Sequence, residues 1–578
     1  MNSGRASTRR LVWCVLLAGT LSASGMNNGL WFEEVGEKSG VCALHRTRRF
    51  TGKYADVLRM FTAGGAAAAV TDYNNDGFDD IFMLDSDTGR PHHLFRNEGD
   101  GSFTDVAKQA GVSGGNTSDT ICADVLWFDY DNDGSEDLLI ARFGTPILYR
   151  NSGDGKFNDV TAVSGLTDFG NTIAVIAFDY DNDGLLDLLF GDYFQPVNLF
   201  DLKSPKVLPD NLEDAHNGGG LRLYRNTGKR FVNITAKAGL AKHDGWTLDV
   251  GHADYDNDGD QDVYIAADYG TDRLYRNEGN GKFSDVTEST IGIDTKKGMN
   301  VDWADYDNDG WLDAYITNIT DEYMREGNFL WRNNGDGTFL DVSKETSTHE
   351  TGWGWAAKFA DFDNDGWQDL FVVNGLRSAG TENYITHVFE MLTRPGVDFS
   401  DLASWPAIGT MSWSGYQKQR LFRNDGVGGF SEVGPQAGVA NDLDGRGIAL
   451  GDFDNDGRID IYQTNADQPA LLYRNATAAG NWVSITLRGT RSNRFGIGAR
   501  VRLTAGGQDQ IREIDGGNGY SGQSAKRAHF GLGSSRKVGS VEVRWPSGII
   551  DVIKVSVNRH YVVEEGNGIA TESEAPRR

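Results

Sequence analysis

Asp305-Tyr306-Asp307-Asn308-Asp309-Gly310-Trp311-Leu312-Asp313 puts side-chain oxygens at positions 1, 3, 5 and 9 of a nine-residue loop, with glycine at position 6. A short segment wraps a hard cation with this spacing, because alternate residues point their oxygens at one centre and the glycine permits the sharp turn. Six further stretches fit the same ruler. Their oxygens fall on Asp72, Asn74, Asp76 and Asp80; on Asp129, Asp131, Asp133 and Asp137; on Asp179, Asp181, Asp183 and Asp187; on Asp254, Asp256, Asp258 and Asp262; on Asp361, Asp363, Asp365 and Asp369; and on Asp452, Asp454, Asp456 and Asp460. Asn74 alone departs from aspartate, and it still offers an oxygen.

Position 7 holds Phe78, Ser135, Leu185, Asp260, Trp311, Trp367 and Arg458 in turn. These residues share only a backbone carbonyl, as a main-chain ligand predicts. An all-oxygen donor set fits Ca²⁺ at about seven sites; zinc and copper favour nitrogen or sulfur, and Mg²⁺ resists dehydration by so many protein ligands. An EF-hand is excluded, since position 12 reads Met83, Ile140, Phe190, Ile265, Ile316, Val372 and Gln463, with no glutamate. Seven near-equivalent sites read as scaffolding, whereas metal catalysis needs one special, open site.

The loops explain much of the composition. The 578-residue chain carries a formal net charge of −28, and 27 of its 83 acidic residues are loop aspartates. Seven divalent ions would return 14 positive charges to the 28 in deficit. Without them, carboxylates crowded on nine residues repel and the fold is weakened. The acidic balance argues against nucleic acid as a partner.

Each loop sits in a larger unit. An apolar strand runs into it and another leaves it, followed by Leu-aromatic-Arg-Asn, a glycine turn and Phe-x-acid-Val, which is hairpin chemistry. Leu-aromatic-Arg-Asn occurs seven times, starting at Leu94, Leu148, Leu223, Leu274, Leu330, Leu421 and Leu472. Phe-x-acid-Val follows only the first six; the missing copy stands at the other end of the chain as Phe32-Glu33-Glu34-Val35. That exchange predicts a ring without open edges. The expected fold is therefore all-β: a seven-bladed β-propeller closed by an N-terminal strand, followed by a small C-terminal β-sandwich or barrel.

Successive loops start 57, 50, 75, 51, 56 and 91 residues apart, so the long intervals mark insertions at about 193–219 and 376–419. Tyr384, Phe389, Trp405, Trp413 and Tyr416 in the second insertion either line a ligand site or pack it onto the scaffold, and packing is favoured because a loop this long needs its own small core.

The expected boundaries are a signal peptide over 1–24, the propeller over 25–478, a β domain over 479–566 and a disordered tail over 567–578. Arg5, Arg9 and Arg10 precede an apolar run from Leu11 to Leu21, a secretory pattern that leaves Sec and twin-arginine export both open. Secretion to a periplasmic or extracellular space follows, with no later apolar run long enough to span a membrane. Cys42 and Cys122 either pair or stay as two buried thiols. Four Asn-x-Ser/Thr sequons begin at Asn116, Asn233, Asn318 and Asn475.

No H-E-x-x-H, G-x-S-x-G or phosphate loop occurs, so no catalytic residue is assigned. The arginines of Leu-aromatic-Arg-Asn, one per unit, read as structural ion-pair or stacking partners.

At these residues the chain resembles FG-GAP/VCBS repeats, the blades of integrin-α-type propellers, over about Trp31 to Asn475. Ser492-Asn493-Arg494, Gly496-Ile497-Gly498-Ala499-Arg500, His529-Phe530-Gly531-Leu532-Gly533 and Val543-Arg544-Trp545-Pro546-Ser547-Gly548 resemble the ASPIC/UnbV domain. Together they resemble the cartilage acidic protein family in its bacterial branch. The resemblance implies a secreted, calcium-binding propeller with an adhesion or recognition role and no catalytic activity to carry over; the ligand is expected to be an extracellular protein or glycan, and the protein a monomer. The alternative is an extracytoplasmic enzyme acting on polysaccharide or a secondary metabolite.

Overall fold

A computed structural model describes residues 29–573, so the expected signal peptide lies outside the described residues. The chain is all-β, built mainly of repeated antiparallel sheets. One unit shows the pattern: Asn300–Ala304, Asp313–Thr317, Phe329–Asn333 and Phe339–Asp341 pair in sequence order, with the loop of Asp305 joining the first two strands. The first two strands of a unit are buried on both faces, which is why Ile121–Phe128 reads as a nearly unbroken apolar run. The fourth strand buries only its phenylalanine: Phe103 is covered while Thr104 and Asp105 face solvent.

The strand Phe32–Glu34 lies antiparallel to Leu471–Asn475, pairing Phe32 with Asn475 and Glu34 with Tyr473. The displaced Phe-x-acid-Val therefore occupies the outer position in the last unit. The first strands of the units touch in order, Ala68–Thr71 against Ile121–Phe128, then Gly170–Phe178, Trp246–Ala253, Asn300–Ala304, Gly354–Ala360 and Gly445–Gly451, and this last strand touches Ala68–Thr71 again.

The two insertions meet each other. Val207 and Leu208 donate their amides to the Ser400 carbonyl at 2.9 and 3.0 Å, and Leu402 donates to the Pro205 carbonyl at 2.9 Å. Tyr384, Trp405 and Trp413 are buried, with Trp405 edge-on to Phe61 at 5.0 Å and Trp413 edge-on to Trp353 at 5.4 Å. Trp405 and Trp413 hold the insertion to the scaffold, Tyr384 packs on Trp413 within it, and Phe389 and Tyr416 remain exposed.

Beyond Asn481 two further four-stranded sheets form. One contains Asn481–Arg488 and Ala528–Gly533, the other Arg500–Ala505 and Val538–Arg544. Within the stretch expected to be a tail, Ala570–Glu572 forms a strand that pairs with Tyr561–Val563, because the free edge of Arg559–Glu564 offers hydrogen bonds that a polar segment can fill.

The C-terminal sheets are not a separate appendage. The segment from Gly516 to Ser524 runs through the centre of the ring of first strands and bonds to every one of them. Ala177 N donates to the Gly516 carbonyl at 2.9 Å, His252 N to Asn518 Oδ1 at 2.8 Å, and Lys358 Nζ to the Asn518 carbonyl. Tyr520 N donates to Asn300 Oδ1 at 3.0 Å, Ala68 N to the Ser521 carbonyl at 3.1 Å, Trp127 N to Gln523 Oε1 at 2.7 Å, and Leu450 N to Ser524 Oγ at 3.2 Å. Paired groups of this kind keep a polar axis affordable inside an otherwise apolar core.

Candidate metal-binding loops

The nine-residue loops share one geometry. Position 4 is an asparagine in the left-handed region, with φ 55° at Asn308, and position 6 is a glycine at φ 93° in Gly310. A β-carbon there would be strained, which explains why glycine stands at that position in all seven copies. At position 1, Asp305 accepts from Asp309 N at 3.0 Å and Gly310 N at 3.2 Å. At position 9, Asp313 accepts from Tyr306 N and Asn333 N at 3.2 and 2.8 Å. The loop is thus folded around its own carboxylates by backbone donors.

Those donors leave oxygens unmatched. Asp131 Oδ1, Asp181 Oδ1, Asp254 Oδ1, Asp363 Oδ1, Asp454 Oδ1 and Asp80 Oδ2 are buried with no hydrogen-bond partner in the structure. Carboxylate oxygens of Asp129, Asp131 and Asp137 lie within 4.8 Å of one another, as do those of Asp179, Asp181 and Asp187, of Asp254, Asp256 and Asp262, and of Asp305, Asp307 and Asp313. In the loop of Asp361, the converging group is Asp361, Asp363 and Asp365. Buried, convergent and unpaired oxygens are costly alone and suit a hard cation. Burial, with neighbouring Asp309 and Asp307 adding repulsion, pushes the Asp305 carboxyl up to about 7; burial together with Asp365 and Asp363 takes Asp361 to about 8. A divalent ion would reverse that cost by favouring the charged forms.

The motif arginines are structural, as expected. Arg150 donates to Asp131 and Asp133 at 2.7 and 2.6 Å, Arg225 to Asp181 and Asp183 at 2.7 Å each, and Arg423 to Asp363 and Asp365 at 2.7 and 3.2 Å. These three grip the Oδ2 atoms at positions 3 and 5 and leave the position-3 Oδ1 without a partner, whereas Arg96, Arg276 and Arg474 pair with Glu98, Glu278 and Glu33.

Sequence reasoning missed the motif asparagine. Its Nδ2 donates to the carbonyl at position 2 of the preceding unit's loop in all seven copies: Asn151 to Tyr73, Asn226 to Tyr130, Asn277 to Tyr180, Asn333 to Tyr255, Asn424 to Tyr306, Asn475 to Phe362 and Asn97 to Phe453, at 2.8 to 3.0 Å. Its strict recurrence after arginine was the available signal. A second link joins the loops directly, since position-4 Nδ2 atoms such as Asn308 and Asn455 donate to the Gly366 and Gly77 carbonyls of the next loop.

Other sequence candidates resolve differently. Asn116, Asn318 and Asn475 are buried, so of the four sequons only Asn233 presents an exposed asparagine. Cys122 is a buried thiol that burial pushes up to about 12.

An FG-GAP-like repeat profile matches residues 72–127, 129–190, 254–316, 319–372 and 401–462, spans that contain all seven loops and about half the chain. The chain belongs to the FG-GAP-like repeat family. An ASPIC and UnbV profile matches residues 489–570 of this FG-GAP repeat protein. It is 32% identical over 256 residues to human cartilage acidic protein 1, covering 38% of this chain and 37% of that one. To the Xenopus tropicalis protein of the same name it is 31% identical over 260 residues, 39% of this chain and 38% of the relative. The match thus spans less than two-fifths of either relative. An Agrocybe aegerita lectin structure overlays 69% of this chain and 86% of its own at 16% identity with a TM-score of 0.36, too loose to carry an argument. Among the described residues no helix is long and apolar enough to cross a membrane.

Proposed function

We propose that this FG-GAP repeat protein is a secreted, monomeric seven-bladed β-propeller, spanning residues 25–478, with a small C-terminal β-sandwich, and that it recognises an extracellular protein or glycan. The cyclic contact of the first strands and the Phe32–Glu34 pairing support the blade count. Ca²⁺ in the seven loops is structural: unpaired buried carboxylate oxygens in six of them supply donors, and arginine clamps in three hold the neighbouring carboxylates.

One observation carries the functional reading. The C-terminal segment fills the ring's axis and the C-terminal sheets stand on the loop side, as the contact between Gln508 Nε2 and the Gly366 carbonyl at 3.2 Å illustrates. What remains for a partner is the end formed by the two joined insertions, where Phe389 is 47% and Tyr416 55% exposed. Loops held on a rigid scaffold are where binding surfaces form. Binding of the full chain to an array of glycans and matrix proteins tests this. A ligand whose binding is weakened by Phe389→Ala or Tyr416→Ala, with melting unchanged, is the expected result; a ligand indifferent to both substitutions refutes the surface, and no ligand at all refutes the recognition role.

A further inference from the structure

At the insertion end lies a cavity of about 230 Å³ between the helix Ala55–Phe61, the base of the second insertion and the last repeat. Three arginines line it, Arg59, Arg377 and Arg446, against two aspartates, Asp444 and Asp467. In a chain of net charge −28 this is a local excess of positive charge.

The acids are already engaged. Asp467 accepts from Arg59 at 2.7 Å and from Thr47 N at 2.9 Å; Asp444 accepts from Ser378 N and Oγ at 2.6 and 2.7 Å. The other two arginines have no carboxylate partner among the described residues. Arg446 is fully buried over the Trp355 ring, 4.2 Å from its centroid, and donates only to carbonyls: Ala63, Gly375, Gly445 and Leu376. Arg377 spends one donor on the Gly409 carbonyl at 2.7 Å, while its backbone is locked to Trp413 in both directions. Burial and the nearby Arg59 disfavour its charge on balance, against the attraction of Asp467, Asp56 and Asp444. An immobilised, half-buried guanidinium with unused donors beside two other cations is a ready fork for an oxyanion, and its planar geometry matches a carboxylate bidentately.

The remaining lining sets the rest of the ligand. Met60 and Ile408 give an apolar side, and the Gln468 amide and Thr47 hydroxyl a polar one. At 230 Å³ the cavity lies below the roughly 300 Å³ at which drug-sized pockets begin. A single hydroxylated ring bearing a carboxylate fits both the size and the polarity.

We propose that this cavity binds the carboxylate of an acidic sugar, with Arg377 as the recognition residue and Arg446 supplying the buried positive field. The shared chemistry has two sources, a free uronic acid or the uronate end of a polysaccharide. The proposal rests on the glycan reading of the recognition surface and deepens it.

Calorimetric titration of the full chain in calcium, at low salt, with glucuronate, a glucuronate-terminated oligosaccharide and neutral glucose tests it. Expected is saturable binding of at least one carboxylated probe, none of glucose, and weakening of about tenfold or more in Arg377→Ala with melting unchanged. Arg377→Lys, which keeps charge but loses the fork, should weaken it less. Binding of the oligosaccharide alone identifies the chain end as the source; binding of both shows that the free acid suffices. Binding of neither acid, equal binding of glucose, or an unaffected Arg377→Ala overturns the site. A matrix ligand still retained by Arg377→Ala on the array would leave the recognition role standing while the pocket falls.

Discussion

Asn97 Nδ2 donates to the Phe453 carbonyl at 2.8 Å across 356 residues of sequence. It is the one copy of a sevenfold hydrogen bond that joins the first repeat to the last. The same amide also reaches the Asp79 carbonyl at 3.1 Å, and Asn97 Oδ1 accepts from Gly99 N at 2.9 Å. Asn97→Ala leaves two buried carbonyls unpaired and should cost about 2–4 kcal/mol in chemical denaturation. Hydrogen exchange should speed first at Phe32–Glu34 and Leu471–Asn475, where the ring is joined. An unchanged denaturation midpoint would show the link to be incidental.

The unpaired loop oxygens predict a strong response to metal. Chelation should lower the melting temperature and calcium should restore it, with elemental analysis finding several calcium ions per chain. Asp309→Ala removes one donor and should reduce the calcium-dependent stabilisation while leaving ligand specificity intact. Equal melting of the wild-type protein in calcium and in EDTA would contradict the structural role.

Glu565 predicts the acid limb of stability in the C-terminal sheets. Burial raises its carboxyl, but hydrogen bonds from Ser547 Oγ and from the amides of Arg491, Ser492 and Thr490 outweigh that and hold it at about 2. A depressed folded value contributes stability above the unfolded value, near 4.5, and that contribution is lost as pH falls toward about 2. Glu565→Gln should therefore cost about 2 kcal/mol or more near neutral pH, with the gap to wild type closing between about pH 5 and 2. A gap independent of pH would show that charge is not what the site uses.

Sequon burial gives a fourth expectation. Produced in a glycosylating host, the chain should carry glycan only at Asn233, the exposed sequon, and Asn233→Gln should remove it in mass spectrometry. Glycan at Asn318, which is fully buried, would mean that modification precedes folding there.

The repeat was legible because it is local. Nine residues fix a loop, and the chemistry of Asp305 to Asp313 is complete without knowledge of what lies around it. The outer strand Phe32–Glu34 could be placed because a missing copy of a counted motif has few places to go. The destination of the motif asparagine was not legible, since each Nδ2 ends on a carbonyl 78 to 118 residues upstream, or on the far side of the chain for Asn97. Nor was the path of Gly516 to Ser524, whose partners are mostly backbone groups with no residue signature, Lys358 Nζ and Asn300 Oδ1 being side-chain exceptions. The insertion aromatics were readable as a class but not one by one: Trp405 and Tyr416 look alike in sequence, and only the packing of Trp405 on Phe61, far off in the chain, separates the covered ring from the exposed one.

The axial segment also constrains how such a chain comes into being. Ala68 pairs with Gly522 in parallel register, so a strand made early waits for a partner hundreds of residues further along the chain. A ribosome releasing this polypeptide would have every sheet of the ring in hand yet leave its centre polar and unsatisfied until the segment from Gly516 to Ser524 emerges. Contacts of such long range make for slow, late condensation. A chain exported before it folds, and meeting calcium only on arrival, would be spared the intermediate altogether.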